Sequence, residues 1–177
     1  MEFKKLIEKR RSVRKFSDQI LPRAVIDTLL KEVASHAPSA RNSRSTHFLV
    51  VDDRELLAKI AAMRDYGSAF VKDAPCVILV MADVSKSDLW RENAAIAATM
   101  LLLNGVDHGL STCWVHVNGR PRQKDAPEGA KAVDYLRTLL PIPEGFEVLC
   151  AVAIGYSDFV PASLPAYDAA EAISWSK

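Results

Sequence analysis

The residues of this chain best suited to hold an anion lie near its start, where Arg10, Ser12 and Arg14 alternate along the segment RRSVR at 10–14. In extended backbone, alternate side chains point the same way, so these three can converge on one group. Guanidinium groups form paired, charge-assisted hydrogen bonds with phosphate oxygens, which makes phosphate the ligand that suits them best. The segment therefore predicts a phosphate site where the chain leaves its first helix.

A second segment with chemical potential is PSARNS, residues 38–43. It joins a Pro-Ser turn to small and amide-bearing side chains. Such a loop suits a flat polar ring, because small side chains let the backbone approach and the amide of Asn42 can both donate and accept hydrogen bonds. Together the two segments indicate a cofactor that is phosphorylated and planar.

Other reactive side chains form no catalytic or metal-binding pattern. The four histidines lack metal-ligand spacing and the chain has no CxxC, so we expect no metal site: His36, His47, His108 and His116. The three cysteines lie far apart, each inside an apolar run, as is typical of reduced core cysteines in a cytoplasmic protein: Cys76, Cys113 and Cys150.

Composition predicts one globular domain over residues 1–177. Apolar residues make up 49% and charged residues 25% of the chain, which is ordinary for a globular protein. The formal net charge of +1 argues against nucleic acid as a partner. The N-terminus is charged rather than signal-like, and the most apolar stretch, 94–103, is too short to span a bilayer. We therefore expect a cytoplasmic protein without a membrane partner.

Hydrophobic periodicity predicts helices that alternate with strands. The predicted helices cover 2–11, a segment from 22 to about 33, 54–63, 87–108 and 129–140, and the predicted strands cover 47–52, 76–82, 110–117 and 146–155. Taken alone, this alternation favours a parallel α/β sheet, although periodicity does not fix strand direction.

Two segments have features that suggest an interface. The middle of the longest predicted helix, AAIAATMLLL, is apolar on all sides, as expected inside a core or an oligomer interface. Gly109 suits the left-handed position that ends this helix. Glu92 and Asn93, near its start, are interpreted as a polar helix end and not as a general-base pair. The tail, 156–177, has no core of its own, so we expect it to wrap over another surface, with a second subunit as one candidate.

In their order and spacing, the segments of this chain resemble the nitroreductase family of flavin-dependent oxidoreductases. The resemblance covers nearly the whole length and rests on RRSVRKF at 10–16, APSARNS at 37–43, HFLVV at 47–51, DAP with its following strand at 73–80, GLSTCW at 109–114 and AVAIGY at 151–156. The end, YDAAEAISW at 167–175, resembles the tail of the small, single-domain members.

The resemblance implies an α+β fold with a mostly antiparallel central sheet flanked by helices, which replaces the parallel sheet suggested by alternation alone. It also implies an intertwined homodimer with FMN at the dimer interface, so that each site draws residues from both chains. The long helix and the tail would then bury dimer surface.

The resemblance assigns roles to individual residues. Arg10, Ser12 and Arg14 would hold the ribityl phosphate and the pyrimidine edge of the flavin, with added contacts from Arg11. Four residues of the partner chain would lie against or near the ring: Pro38, Ser39, Ala40 and Asn42. Three residues of the strand after Gly109 would pass the reactive edge of the ring: Trp114, Val115 and His116.

The implied activity is reduction of nitroaromatics, quinones or similar acceptors by NAD(P)H in a ping-pong sequence. No G-x-G-x-x-G occurs, which agrees with one pocket shared by reductant and acceptor. The flavin supplies the chemistry, so we expect no obligatory catalytic side chain. His116 is either a proton donor or a packing residue, and Cys113 is either a reactive thiol or a packing residue.

Two other functions fit the same resemblance. One is a flavin-storage or sensing protein, and the other is a flavoenzyme of the same fold with different chemistry.

Two departures from the family pattern affect the expected site. Arg44-Ser45-Thr46 stands where members commonly have Gln-Pro-Trp, which adds a positive charge near the cofactor or the substrate mouth. Members also often place a basic residue after the final Gly, whereas 157–168 contains none. We therefore expect the phosphate to depend more on the N-terminal arginines than is usual, and FMN to bind less tightly.

Overall fold

The computed structural model describes residues 2–176 and places the predicted strands in one sheet. The strands are β1 (Thr46–Val51), β2 (Cys76–Asp83), β3 (Ser111–His116) and β4 (Phe146–Gly155). Their order is β1-β2-β4-β3, and every neighbouring pair is antiparallel. The parallel sheet suggested by alternation alone is therefore wrong, and the antiparallel α+β fold implied by the resemblance is confirmed.

Five α-helices flank the sheet: α1 (Phe3–Lys9), α2 (Arg23–His36), α3 (Arg54–Ala61), α4 (Trp90–Asp107) and α5 (Ala132–Leu139). Short 3₁₀ turns cover Ala40–Asn42, Ala69–Asp73 and Ala169–Ala172. The first helix ends two residues earlier than predicted, and α5 begins three residues later than predicted, after a polar loop. The side chain of Asp53 caps α3 by accepting a 2.9 Å hydrogen bond from the backbone N–H of Leu56.

Helices cover both faces of the sheet and bury it on both sides. On one face, α2 and α4 pack against the side of β2 that carries Ile78 and Val80. On the other face, α3 and α5 pack against the side that carries Val77 and Leu79. Because both faces are covered, β2 is a continuous apolar run rather than an alternating one.

The long helix α4 packs closely on the sheet through a glycine. A Cβ at Gly105 would lie 2.7 Å from Cγ2 of Thr112 in β3, so only glycine permits this approach. The helix ends where predicted, with Gly109 at a φ of 77°. Its opposite side is accessible, and Ile96 is 39% exposed. The prediction that this helix contributes to an oligomer interface stays open.

The tail after Gly155 runs over the surface as extended chain with a single 3₁₀ turn within the described residues. Its apolar side chains are exposed, and Trp175 is 90% exposed. The prediction that the tail has no core of its own is thereby confirmed, while its wrapping over a partner stays a prediction.

Within residues 2–176, no helix combines the length and apolar character needed to cross a membrane. The same residues contain no group of three or more potential metal ligands. All three cysteines are buried and free of disulfides.

Candidate functional site

The segment 10–14 has the extended conformation that its proposed anion site requires. Helix α1 ends at Lys9, and the next residue, Arg10, is extended with a φ of −61° and a ψ of 122°. The segment then runs beside β3, since Ser12 pairs with Thr112 and the N–H of Val13 donates to the carbonyl of Thr112 at 3.0 Å. Val13 is buried, whereas Ser12 and Arg14 are exposed. The predicted alternation along this segment is therefore present.

Arg10 and Arg14 lie on either side of Ser12, which pairs with Thr112 of β3. Burial raises the pKa of the Cys113 thiol, and the positive charges of Arg14 and Arg10 partly offset that rise. The guanidinium of Arg14 also lies 5.7 Å from the ring centroid of Phe70. Among the described residues, neither arginine forms an ion pair. Their N–H groups are therefore available to an anion.

The donors gathered here fit a phosphate group. They are the two guanidiniums and the exposed hydroxyl of Ser12 between them. A phosphate monoester offers several acceptor oxygens to such a set. The residues present at this strand therefore fit the phosphate of a nucleotide cofactor.

The chain after Gly155 lies beside this segment without adding a basic residue of its own. The N–H of Ser17 donates to the carbonyl of Tyr156 at 2.9 Å, and the hydroxyl of Ser157 donates to the carbonyl of Lys15 at 2.5 Å. The ammonium of Lys15 lies 5.0 Å from the ring centroid of Phe159. The positive charge of Lys15 therefore lies next to residues 157–168, which contain no basic residue.

The second predicted segment forms a tight loop before β1. Two of its residues and the residue that follows it have left-handed backbone, with φ values of 52° at Arg41, 51° at Asn42 and 47° at Arg44. The hydroxyl of Ser39 accepts from the backbone N–H of Arg44 at 3.0 Å, and Nε of Arg44 donates to Oδ1 of Asn42 at 3.3 Å. Arg44 therefore contacts the amide that the resemblance places near the flavin.

Asn93 connects this loop to α4, and its importance was missed in the sequence. Its Oδ1 accepts from the N–H of Ala40 at 2.8 Å, and the side chain is only 2% exposed. Its Nδ2 lies within hydrogen-bond distance, 3.1–3.2 Å, of three hydroxyl oxygens: those of Ser43, Ser45 and Ser87. The interpretation of Asn93 as a polar helix end is therefore wrong, because the loop and the start of α4 bury it almost completely.

A signal for Asn93 was present in the helical spacing. Ala97 and Leu101 follow it at intervals of four and are both buried, so Asn93 lies on the buried face of α4. A polar residue on such a face needs hydrogen-bond partners. The serines that supply them are too far away in the chain to be identified by spacing alone.

Trp114 and His116 project from the same face of β3. Their rings stack at 6.3 Å between centroids, and Nε1 of Trp114 donates to Nδ1 of His116 at 3.4 Å. The carbonyl of His116 accepts from Nη1 of Arg64 at 3.0 Å. Burial, followed by the charges of Arg120 and Arg64, lowers the pKa of His116, which keeps the imidazole neutral near neutral pH. Val115, between them, is buried.

The two halves of the predicted site lie far apart within one chain. The loop precedes β1, and the segment 10–14 runs beside β3, which are opposite edges of the sheet. The first residue of β1 pairs with Ala82, near the end of β2. Thr112 pairs with Ile154 of β4, which in turn pairs with Cys76 at the start of β2. With about 4.8 Å between neighbouring strands and about 3.3 Å per residue, segment 10–14 lies about 19 Å from β1 across the sheet and about 20 Å from its start along the sheet. One chain alone therefore does not bring residues 10–14 and 38–42 together.

Comparison with known proteins shows similarity along nearly the whole chain. The model of the Nitroreductase family matches residues 7–64 and 61–156. A protein of Methanothermobacter thermautotrophicus, provisionally named NADH dehydrogenase/NAD(P)H nitroreductase, is 34% identical over 95% of this chain and 84% of its own length. A protein of Archaeoglobus fulgidus with the same provisional name is 35% identical over 86% of this chain and 83% of its own length.

The fold is also shared with solved structures. An FMN-dependent nitroreductase from Clostridium difficile R20291 superimposes with a TM-score of 0.80 at 36% identity. The superposition covers 94% of this chain and 92% of the other. The sheet and helices described above are thus arranged as in that solved structure.

Proposed function

This chain belongs to the nitroreductase family, and we propose that it is an FMN-dependent oxidoreductase that uses NAD(P)H to reduce a nitroaromatic, a quinone or a similar small acceptor. The names of its relatives support the reductant and the cofactor. The observation that carries the proposal is the exposure of Ser12 and Arg14 on one side of extended backbone beside β3, with Arg10 at the start of the same extended segment.

We assign the phosphate and the pyrimidine edge of FMN to the N-terminal segment. Arg10, Ser12 and Arg14 supply charged and neutral donors, and Arg11 adds further contacts. The backbone of β3 at three residues follows the reactive edge of the ring: Trp114, Val115 and His116. Lys15 lies beside the segment after Gly155, where its charge compensates for the absence of a basic residue in 157–168.

The ring-facing residues of the loop are assigned to the partner's site: Pro38, Ser39, Ala40 and Asn42. Their distance from β3 in the same chain supports this assignment, since a second subunit can supply what one chain keeps apart. The protein is then a single-domain homodimer. The exposed Ile96 of α4 and the exposed apolar residues of the tail offer the surface that such a dimer would bury.

In this proposal, FMN bound at this site would supply hydride and electron transfer between NAD(P)H and the acceptor, and the two substrates would occupy the same pocket in turn. The residues of the chain bind, orient and stabilise charge. Arg10 and Arg14 place positive charge where reduction adds electron density, and such preorganised charge lowers the energy of a developing anion. The imidazole of His116 is neutral near neutral pH and adds nothing to this positive charge. No side chain needs to act as a nucleophile.

The proposal is tested with the purified protein and added FMN. We expect a flavin absorbance band that bleaches on anaerobic addition of NADH or NADPH and returns on addition of a nitro compound. A protein that takes up no FMN would contradict the proposal. A protein that binds FMN but is bleached by neither reductant would instead support a storage or sensing role, which the absence of basic residues in 157–168 favours.

A further inference from the structure

The loop from Ser39 to Ser45 is attached to α4 through a single buried amide. Asn93 contacts it at the N–H of Ala40 and at the hydroxyls of Ser43 and Ser45, with atom separations of 2.8–3.2 Å. Ser45 is fully buried and its carbonyl accepts from the N–H of Asp83 at 2.9 Å. The base of the loop is thus fixed to both α4 and β2.

The conformation of this loop requires such an anchor. Left-handed backbone is unfavourable for residues that carry a Cβ, and here Arg41, Asn42 and Arg44 all adopt it. Conformations of this kind persist when surrounding contacts hold them in place, and they concentrate at ligand-binding sites. Local hydrogen bonds from Arg44 to Ser39 and Asn42 support the turn, and Asn93 ties it to α4.

We propose that Asn93 is a positioning residue for cofactor binding: by holding the loop 39–45, it sets the geometry in which Ser39, Ala40 and Asn42 meet the flavin of the partner subunit. This inference rests on the proposed function. Asparagine suits the position because its carbonyl accepts from one N–H while its amide group faces three hydroxyls. It does this without placing a charge in the buried site.

The main test compares Asn93→Ala with Asn104→Ala by titrating the apoproteins with FMN. Asn104 is a matched control on the same helix, where Nδ2 donates to the carboxylate of Glu32 at 2.8 Å and to the carbonyl of Leu29 at 3.3 Å, away from the loop. Both variants lose side-chain hydrogen bonds, so both should unfold at a lower temperature. We expect the Kd for FMN to rise about tenfold or more only in Asn93→Ala.

A conservative variant separates positioning from packing. In Asn93→Asp the carboxylate still accepts from the N–H of Ala40, and the facing hydroxyls can rotate to donate. The buried carboxylate should lower the unfolding temperature, but because the contact with Ala40 is kept, we expect the Kd for FMN to rise less in this variant than in Asn93→Ala. If Asn93→Ala does not fold, the double variant Ser43→Ala/Ser45→Ala removes two loop partners and should weaken FMN binding in the same direction.

Hydrogen exchange measures how firmly the loop is held when no flavin is present. In the apoprotein, the N–H of Ala40 should exchange faster in Asn93→Ala than in the unmodified protein or in Asn104→Ala. If the unmodified protein binds no FMN, the proposed function is wrong, and exchange still decides whether Asn93 holds the loop. An unchanged Kd together with unchanged exchange at Ala40, or an equal rise of Kd in Asn104→Ala, would overturn the positioning role.

Discussion

Arg10 follows the last residue of α1, at the point where the backbone becomes extended and continues to Ser12 and Arg14. Replacing it with alanine removes a charged donor from the proposed phosphate site. Hydrogen bonds to charged groups contribute about 1.5–3 kcal/mol, so Arg10→Ala should raise the Kd for FMN by about tenfold or more. Lys4→Ala, an exposed residue of α1, serves as the control. Equal FMN affinity in the two variants would remove the phosphate role of Arg10.

His116 makes a prediction about pH. Its pKa in the folded protein lies below the ordinary value of 6.5, mainly because of burial. Between the lowered pKa and 6.5 the unfolded chain binds more protons, so the free energy of unfolding falls as the pH decreases through this range. His116→Gln removes this contribution. From about pH 7 to about pH 5, urea unfolding should therefore show a shallower loss of stability in the variant, and parallel curves would contradict the shift.

The N-terminal segment 10–14 could be predicted from local sequence, whereas the hydrogen-bond partners of Asn93 could not. The extended segment was predictable because its alternation is local, and the burial of Val13 between exposed Ser12 and Arg14 confirms it. The role of Asn93 depends on Ser43 and Ser45, which approach it only after β1 and α4 have packed. Local pattern could place Asn93 on the buried face but could not name its partners.

At the scale of elements, sequence pattern identified every strand and missed the direction of the sheet. β2 is apolar throughout because helices cover both faces, and a continuous apolar run is also what a buried parallel strand shows. Only the resemblance to a family gave the antiparallel order. The predicted bounds of β4 were correct, because an apolar run flanked by Gly145 and Gly155 has clear limits.

The junction between β4 and the segment that follows depends on the absence of a side chain at Gly155. A Cβ there would lie 2.5 Å from both Cγ and Cδ of Pro75 and 3.2 Å from Cδ1 of Phe16. Because the proline ring is tied to its own backbone, it cannot turn away. Gly155→Ala should therefore lower the free energy of unfolding by about 2–3 kcal/mol, measured by urea denaturation.

Gly67→Ala is the control for backbone strain at a position with open space. Gly67 has a φ of 71° and no atom within 4 Å of an added Cβ, so that variant should lose about 1 kcal/mol. A loss in Gly155→Ala no greater than in Gly67→Ala would show that Pro75 and Phe16 can move aside.

At the scale of the whole molecule, three features support the proposed second subunit. The loop and the N-terminal segment lie at opposite edges of the sheet. The tail exposes its apolar side chains, including Trp175. The accessible side of α4 carries Ile96. A symmetric dimer accounts for all three features together, because it covers both apolar surfaces and completes two sites at once.

A mixed dimer tests this arrangement directly. If each site combines residues 10–14 of one chain with the loop of the other, a heterodimer of Arg10→Ala and Asn93→Ala chains contains one site with both defects and one site with neither. Coexpression with two different affinity tags isolates that heterodimer. Because the intact site is unchanged, we expect about one FMN per heterodimer to bind with the affinity of the unmodified protein.

The two homodimers are the controls for this experiment, and both should bind FMN more weakly than the unmodified protein. If the site were built within one chain, every site of the heterodimer would carry one defect, and no binding at the unmodified affinity would appear. Titration of the isolated heterodimer therefore separates the two arrangements by stoichiometry, because a shared site restores half of the sites and a site within one chain restores none.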